Sequence, residues 1–194
     1  MLTKLATEQS NEADIITHEF HVDYWNYLGW KDEFSLSDYS DRQGGYAGFF
    51  GLDSNYTPQM VVDGAFEFVG SNRSKANDAI AKSATQPKGA VELKIDGGSL
   101  KANISGLNAH TDATVYLAVA ESGLSNRVGG GENSGATLAH ASVVRELKQI
   151  GLISGKQNDG NFDIQLPVNG VWKSENVRFV VFVQENSTLK VLAV

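Results

Sequence analysis

A succession of short β-type segments separated by turns is the feature that most limits how this chain can fold. The segment VELKIDGGSLKANIS, residues 91–105, alternates apolar and polar side chains on both sides of a glycine-rich turn. Similar segments follow at ATVYLAVAES, TLAHASVVREL, NFDIQLP and VRFVVFVQENSTLKVLAV. About seven short strands separated by turns predict an all-β domain of the β-sandwich class.

The N-terminal half has a different pattern, in which helical and strand-like segments alternate. Residues 2–13 have a weak helical pattern, residues 15–22 alternate like a strand, and residues 35–50 carry an apolar helical stripe. Residues 23–30 are expected to form the loop that leaves the strand at its C-terminal end. This order of elements is typical of an α/β domain.

A β-hairpin and a third helix complete the N-terminal half. Asp63 and Gly64 separate two short apolar runs and form a strong two-residue hairpin signal. Ser71 or Asn72 can cap the helix that follows. The segment TQPKG then has the composition of a linker. The predicted division is an α/β domain at residues 1–84, a linker at 85–89 and a β-sandwich domain at 90–194.

Composition excludes several classes of function. The chain has no cysteine, which excludes disulfides, thiolate ligands and thiol catalysis within it. Its formal net charge is −7 and it has no basic stripe, so nucleic acid is not an expected partner. No apolar run reaches the roughly 18 residues of a membrane span. The polar N-terminal segment predicts no signal peptide and a cytoplasmic chain, although a shortened chain would look the same.

The densest stretch is HEFHVDYWNYLGWKDEF, residues 18–34, which holds two histidines and two of the three tryptophans. His18 and His21 would point to opposite faces of a strand, and His140 is distant in sequence. His21 and Asp23 share a face, but two ligands do not make a metal site, so none is predicted. The chain has neither a nucleophile–base motif nor a phosphate loop, so no catalytic residue and no cofactor is assigned.

Several motifs resemble a bacterial family known as domain of unknown function 1223. Within residues 20–70 they are FHVDYWNYLGWKDEF, DRQGGYAGFFGLDSNYTPQMVVDG and FVGS. The segment GGGENSGATLAHASVVREL extends the resemblance more weakly into the second half, and Asn26 departs from the aspartate expected there. The resemblance implies a secreted or periplasmic protein with a thioredoxin-like domain followed by a β-rich domain.

The resemblance also implies a β-strand and a Cys-x-x-Cys motif ahead of the HVDYW segment, and this chain has neither. Thiol–disulfide exchange is therefore not expected of it. The expected fold class is α/β plus all-β, with an N-terminally incomplete thioredoxin-like domain followed by a β-sandwich. Loss of a central strand would leave an open sheet edge, which predicts a deformed N-terminal domain or a homodimer through that edge.

A binding site is implied at the rim of the missing redox centre, around Pro58. The resemblance implies a cis bond before Pro58, whereas the sequence alone favours a trans proline at an edge strand. Another interpretation is that the aromatic residues only pack a loop against the sheet. The predicted binding residues are His21, Asp23, Tyr24, Trp25, Tyr56, Thr57, Pro58 and Gln59.

Three functional hypotheses follow. The leading one is a redox-inactive thioredoxin-like envelope protein that binds a peptide or protein at the rim around Pro58. The first alternative is a fragment of a periplasmic thiol–disulfide oxidoreductase whose Cys-x-x-Cys lies upstream. The second is a structural or adhesive protein that acts through its β-sandwich. Whether the intact protein is an enzyme is left open.

Overall fold

The computed structural model describes residues 2–7, 14–131, 134–167 and 169–194. The described helices are α1 (Leu2–Thr7), α2 (Ser37–Phe50) and α3 (Arg73–Ala84), with 3-10 turns at Asn26–Leu28 and Ser174–Asn176. The described strands are β1 (Gln59–Val62), β2 (Phe66–Val69), β3 (Ala90–Asp96), β4 (Ser99–Ser105), β5 (Ala113–Glu121), β6 (Ser125–Arg127), β7 (Thr137–Ala139), β8 (Val143–Ile153), β9 (Gly160–Gln165), β10 (Val177–Glu185) and β11 (Val191–Ala193).

Two antiparallel sheets form the larger part of the molecule. One has the strand order β11-β10-β5-β8 and the other the order β3-β4-β9. Alternate apolar side chains of both sheets meet in one core, which is why the second half of the sequence alternates. Its buried members include Leu100, Ile104, Val115, Leu117, Val119, Ile164, Val181 and Val183.

Strand β5 is buried on both faces. Leu117 and Val119 point into the core shared by the two sheets, whereas Ala118 belongs to a second cluster on the outer face of the four-stranded sheet. Tyr39 of α2 packs in that second cluster and donates a hydrogen bond of 3.0 Å from its hydroxyl to the carbonyl oxygen of Val144. Burial on both faces explains the nearly continuous apolar run of β5.

The hairpin of β1 and β2 forms a separate two-stranded sheet, closed by the turn at Asp63 and Gly64. Helix α3 packs on it through Ala76 and Ala79, and the Asn72 side chain caps α3 by accepting a hydrogen bond from the amide of Lys75. The hairpin, its turn and one of the two suggested caps are therefore confirmed. The predicted strands of the second half are confirmed as well, except that the segment TLAHASVVREL is divided at residues 140–142 into β7 and the start of β8.

The predicted α/β class is wrong. Residues 15–22 form no strand, and their one bridge in the described chain is a parallel contact between Glu19 and Val143 of β8. The hairpin has no parallel neighbour, so the thioredoxin-like sheet is not formed by the described residues. The segment instead lies at the β8 edge of the four-stranded sheet, where it makes that single bridge and Phe20 packs beside Tyr39. The β-rich character of the prediction is confirmed.

Two further predictions concern boundaries. Helix α2 begins at Ser37, two residues after the start of the predicted stripe at residues 35–50, and its N-cap residue, Leu36, makes no side-chain cap. Helix α1 confirms the start of the predicted N-terminal helix, and residues 8–13 lie outside the described residues. The division at residues 85–89 stays a prediction. Among the described residues, no helix has the length and apolarity needed to cross a membrane, as predicted.

Candidate functional site

Two histidines that are far apart in sequence meet at one carboxylate. The His140 Nδ1 atom lies 3.2 Å from Glu19 Oε2, and the His21 Nε2 atom lies 3.7 Å from the same oxygen. The two imidazole rings are 4.7 Å apart between centroids. We call Glu19, His21, His140 and the two polar residues behind them, Asp32 and Asn126, the histidine cluster.

Each imidazole is held from behind by an oxygen acceptor. His21 Nδ1 lies 2.5 Å from Asp32 Oδ2, and His140 Nε2 lies 3.0 Å from Asn126 Oδ1. The Asn126 amide also donates to Asp32 Oδ1 at 3.3 Å, which joins the two supports. The other carboxylate oxygen of Glu19 accepts a hydrogen bond from the Ala141 amide at 3.1 Å. The cluster is thus a continuous network between the N-terminal segment and the β6–β8 region.

The histidines and carboxylates of the cluster stabilise one another in their charged forms. Burial alone would lower the pKa of His21, but its hydrogen bonds to Asp32 and Glu19 and their negative charges outweigh burial and raise this pKa to about 9. Burial acts in the opposite sense on the two carboxyls, and again the histidines outweigh it, so the pKa values of Glu19 and Asp32 lie below their ordinary values. At neutral pH the cluster therefore holds a positive charge between two carboxylates.

A short loop places Asp32 behind His21. The Asn26 side chain accepts a hydrogen bond from the Asp32 amide at 3.0 Å and donates another, of 2.9 Å, to the Ser35 hydroxyl. Asp32 Oδ1 then accepts from the Phe34 amide. The Phe34 ring packs edge-on against both His21 and His140, with centroids 5.7 and 5.5 Å away, and gives the cluster an apolar wall.

A second candidate site is the aromatic rim, which we define as Trp25, Tyr27, Leu28, Thr57 and Pro58. Trp25 is 43% exposed, Tyr27 76% and Leu28 48%, although all three are large apolar side chains. The Trp25 indole donates a hydrogen bond of 3.0 Å to the Thr57 hydroxyl, which fixes the loop against the segment before β1. The Thr57–Pro58 peptide bond is cis, as the resemblance implied.

Most of the predicted binding residues lie near this rim, but not all of them. Tyr24 and Tyr56 are joined through Gln43, which accepts from the Tyr24 hydroxyl at 2.7 Å and donates to the Tyr56 carbonyl at 2.7 Å. Asp23 instead accepts from the Ser40 hydroxyl at 2.6 Å, at the first turns of α2. His21 belongs to the histidine cluster.

The side chains of Tyr56 and Gln59 form hydrogen bonds with the carboxylate of Glu67 on β2. The Tyr56 hydroxyl and the Gln59 amide both donate to Glu67 Oε1. Burial, followed by the hydrogen bond to Glu67 and its charge, raises the pKa of Tyr56 to about 12. These two side chains therefore brace the hairpin, and their role in binding stays a prediction.

Comparison with known proteins places the chain in a family. The model of the family described as "Protein of unknown function (DUF1223)" matches residues 1–184. The chain belongs to the DUF1223 family. A crystal structure of a protein from Agrobacterium tumefaciens, determined by a structural genomics consortium, is similar with a TM-score of 0.59 and 23% identity. The similarity covers 75% of this chain and 62% of that one, and it concerns the fold alone. The comparison with curated proteins found no match.

Sequence reasoning missed most of the histidine cluster in this DUF1223 member. Glu19, Asp32, Asn126 and His140 are spread over more than half of the chain, and no spacing within a single element connects them. The one available signal was the polar side chains at alternate positions 19 and 21, which share a face in an extended segment. The expectation that His21 serves the rim came from placing residues 15–22 in a sheet that is not formed.

Proposed function

We propose that the protein binds an extended segment of a peptide or protein at the aromatic rim and along the free edge of β1, in the bacterial envelope that the family resemblance implies. The observation that carries this proposal is the exposure of three large side chains on one turn, Trp25, Tyr27 and Leu28. Exposed aromatic residues are enriched at the centres of binding sites because they bury a large area at low cost in conformational entropy.

The backbone next to the rim supports a strand-like ligand. Strand β1 pairs with β2 on one side and has no strand on the other among the described residues. The Gly70 amide donates a hydrogen bond to the Pro58 carbonyl, which fixes the alternation along β1. The backbone groups of Met60 and Val62 therefore face β2, whereas those of Gln59 and Val61 face the free edge. An extended peptide could pair with these groups, as in other cases of strand addition.

In this arrangement the backbone of β1 would provide affinity and the side chains of the rim would provide specificity. Hydrogen bonds to Gln59 and Val61 would give affinity that is independent of sequence, because every non-proline residue offers the same donor and acceptor. Trp25 and Tyr27 would select apolar side chains at alternate positions of the ligand. We therefore expect the ligand to be an extended segment with alternating apolar residues.

The test is selection from a displayed library of random 12-residue peptides, followed by fluorescence anisotropy with a selected peptide. Trp25→Ala should weaken binding by tenfold or more, since truncation of a central aromatic residue commonly costs about 2 kcal/mol. Val61→Pro should abolish binding, because proline removes the amide that faces the free edge.

Matched controls separate binding from folding. Val61→Thr keeps the backbone amide and the β-branched shape, so it should retain affinity. Val171→Ala changes an apolar residue outside the rim that is 75% exposed, more than Trp25, and should also bind normally. Enrichment of no peptide, or equal affinity of Trp25→Ala and Val171→Ala, would contradict the proposal.

A further inference from the structure

The geometry points to a metal-binding site at Glu19, His21 and His140, for a divalent transition-metal ion of which Zn²⁺ is the best fit. One ligand atom from each of the three residues lies within 4.8 Å of the other two. This inference does not depend on the proposed peptide binding, since the rim and the histidine cluster share no residue.

The spacing of the ligand atoms suits zinc. With bonds of 2.0–2.1 Å and tetrahedral angles, two zinc ligands lie about 3.4 Å apart. Glu19 Oε2 lies 3.2 Å from His140 Nδ1 and 3.7 Å from His21 Nε2, so these two separations lie on either side of that value. An ion can therefore be placed among these atoms with small side-chain movements.

The hydrogen bonds behind the rings set the tautomers that a metal needs. Asp32 accepts from Nδ1–H of His21, and Asn126 Oδ1 accepts from Nε2–H of His140. In its neutral form, each imidazole then presents its other nitrogen, with a lone pair, to Glu19. A carboxylate or amide oxygen behind each metal-bound histidine is the usual outer support of such sites, where it fixes the ring and raises its basicity.

The cluster also requires a positive charge at its centre. Two imidazole lone pairs and the free oxygen of Glu19 face one another, and Asp32 adds a second carboxylate close by. Without a cation these acceptors would repel one another. A divalent ion bound to all three residues would supply that charge.

The kind of ion follows from the ligand types. Two imidazoles and one carboxylate favour zinc and similar transition metals, whereas magnesium and calcium prefer oxygen ligands alone. The side chains are accessible to an arriving ion, since Glu19 is 16% and His21 13% exposed. A fourth position would be taken by water. The bound ion would tie the N-terminal segment to His140, which lies between β7 and β8.

The experiment is titration of the full chain, first stripped of metal with a chelator, with ZnCl₂ by isothermal titration calorimetry. We expect one zinc ion per chain with a Kd below about 1 µM. His140→Ala and Glu19→Gln should each weaken binding by at least a hundredfold. Asp32→Asn leaves the three ligands in place and should weaken it by about tenfold to a hundredfold.

Two controls show whether the ion binds at this place. His110→Ala removes a histidine that, among the described residues, bonds to the carbonyls of Thr111 and Gln157 and not to the cluster, so zinc binding should be unchanged. MgCl₂ and CaCl₂ should give no binding at the same concentrations. Saturating zinc should raise Tm by a few degrees in the wild type and the His110 variant, but not in Glu19→Gln.

X-ray absorption of the zinc-loaded wild-type protein decides the case even if a variant fails to fold. Two imidazoles and light oxygen atoms around zinc would support the site. No zinc binding by the wild type, a spectrum without imidazole, or loss of binding in His110→Ala would overturn the inference.

Discussion

Glu185, at the end of β10, is a buried carboxylate held by two threonines. One of its oxygens accepts from the Thr111 amide at 2.6 Å and from the Thr111 hydroxyl at 3.0 Å, and the other accepts from the Thr188 hydroxyl. Burial alone would raise the pKa of Glu185, but these hydrogen bonds outweigh it and lower the pKa below its ordinary value of 4.5. The residue therefore stabilises the fold in its charged form.

The sign of the pH dependence follows from this lowered pKa. Glu185 contributes fully to stability above pH 4.5, and the contribution is lost as the pH falls through the folded-state pKa. Glu185→Gln should lower the free energy of unfolding at pH 7 by about 1–2 kcal/mol, because a charged acceptor of three hydrogen bonds is lost. The difference from the wild type should shrink well below pH 4.5. Urea unfolding at pH 7 and pH 3 measures both values.

Glu175→Gln is the matched control for that prediction. Glu175 is an exposed carboxylate in the 3-10 turn before β10, so its replacement should change the unfolding free energy by less than about 0.5 kcal/mol at either pH. An equal pH dependence of the two variants would show that the hydrogen bonds of Glu185 are not responsible.

At the scale of elements, the β1–β2 turn is a point of contact between the two halves of the chain. Asp63 and Gly64 have φ values of 49° and 67°, which correspond to the hairpin turn that their dipeptide predicts. The Asp63 carbonyl accepts a hydrogen bond from the Val191 amide of β11 at 2.9 Å. A Cβ atom on Gly64 would lie 1.7 Å from the Leu189 carbonyl oxygen. The turn thus fits closely against the loop between β10 and β11.

Gly64→Ala should therefore be strongly destabilising. The substitution combines an unfavourable positive φ with a clash against backbone, and we expect it to lower the unfolding free energy by more than about 2 kcal/mol. Gly97→Ala is the control, since Gly97 also has a positive φ of 57° but has open space where the Cβ would lie. It should cost only about 1 kcal/mol. Equal losses of unfolding free energy in the two variants, measured by urea unfolding, would show that the contact with Leu189 does not contribute to the effect.

Elements defined by local signals were predictable from the sequence. The wrong prediction of a strand at residues 15–22 has a specific cause. The turn at Asp63 and Gly64, the cap at Asn72 and the alternation of β4 are each encoded within a few residues. Residues 15–22 alternate like a strand as well, but alternation does not tell which partner a segment has. The segment lies beside β8, an edge strand of the four-stranded sheet, but among the described residues it forms only one bridge to β8 and is otherwise irregular.

At the scale of the whole molecule, α2 and the N-terminal segment cover the outer face of the four-stranded sheet. Tyr39 is 2% exposed and packs with Ala118, Val144 and Phe182, while Phe20 lies beside it. Arg42 bonds to Gln184 of β10 at 2.9 Å and adds a polar tie. The burial of the apolar outer face therefore depends on residues from the other half of the chain.

We expect the described N-terminal region and the two sheets to unfold in one transition. Trp25 and Trp30 report on the N-terminal region, and Trp172 packs against the core between the two sheets. Variants that keep either Trp30 or Trp172 as the sole tryptophan should show the same urea midpoint by fluorescence. Two separated midpoints would instead support independent domains on either side of residues 85–89.

Tyr39→Ala tests the same interface. Loss of a buried aromatic side chain should lower the unfolding free energy by about 3 kcal/mol and shift both fluorescence signals together. Tyr39→Phe keeps the ring and loses only the hydrogen bond to Val144, so it should cost about 1 kcal/mol. A shift confined to one tryptophan would indicate that the interface does not couple the two parts.

The candidate sites differ in how far the sequence could reveal them. The aromatic rim lies in a short stretch whose composition is unusual, and Trp25, Thr57 and Pro58 were all expected there. The histidine cluster depends on His140 meeting Glu19 across 121 positions, which only the folded arrangement of the sheet determines. A pair of residues at that distance leaves no periodic or spacing signal.

The bridge between Glu19 and Val143 has a consequence for the order of events as the chain is made. Its two residues are separated by most of the chain, and Val143 lies on β8, which pairs with β5. A ribosome releases the N-terminal segment long before it has made that strand. Until then Glu19 and His21 lack their partner, and closing so long a loop is slow. During synthesis, the N-terminal segment therefore cannot reach its final arrangement until β8 has been made.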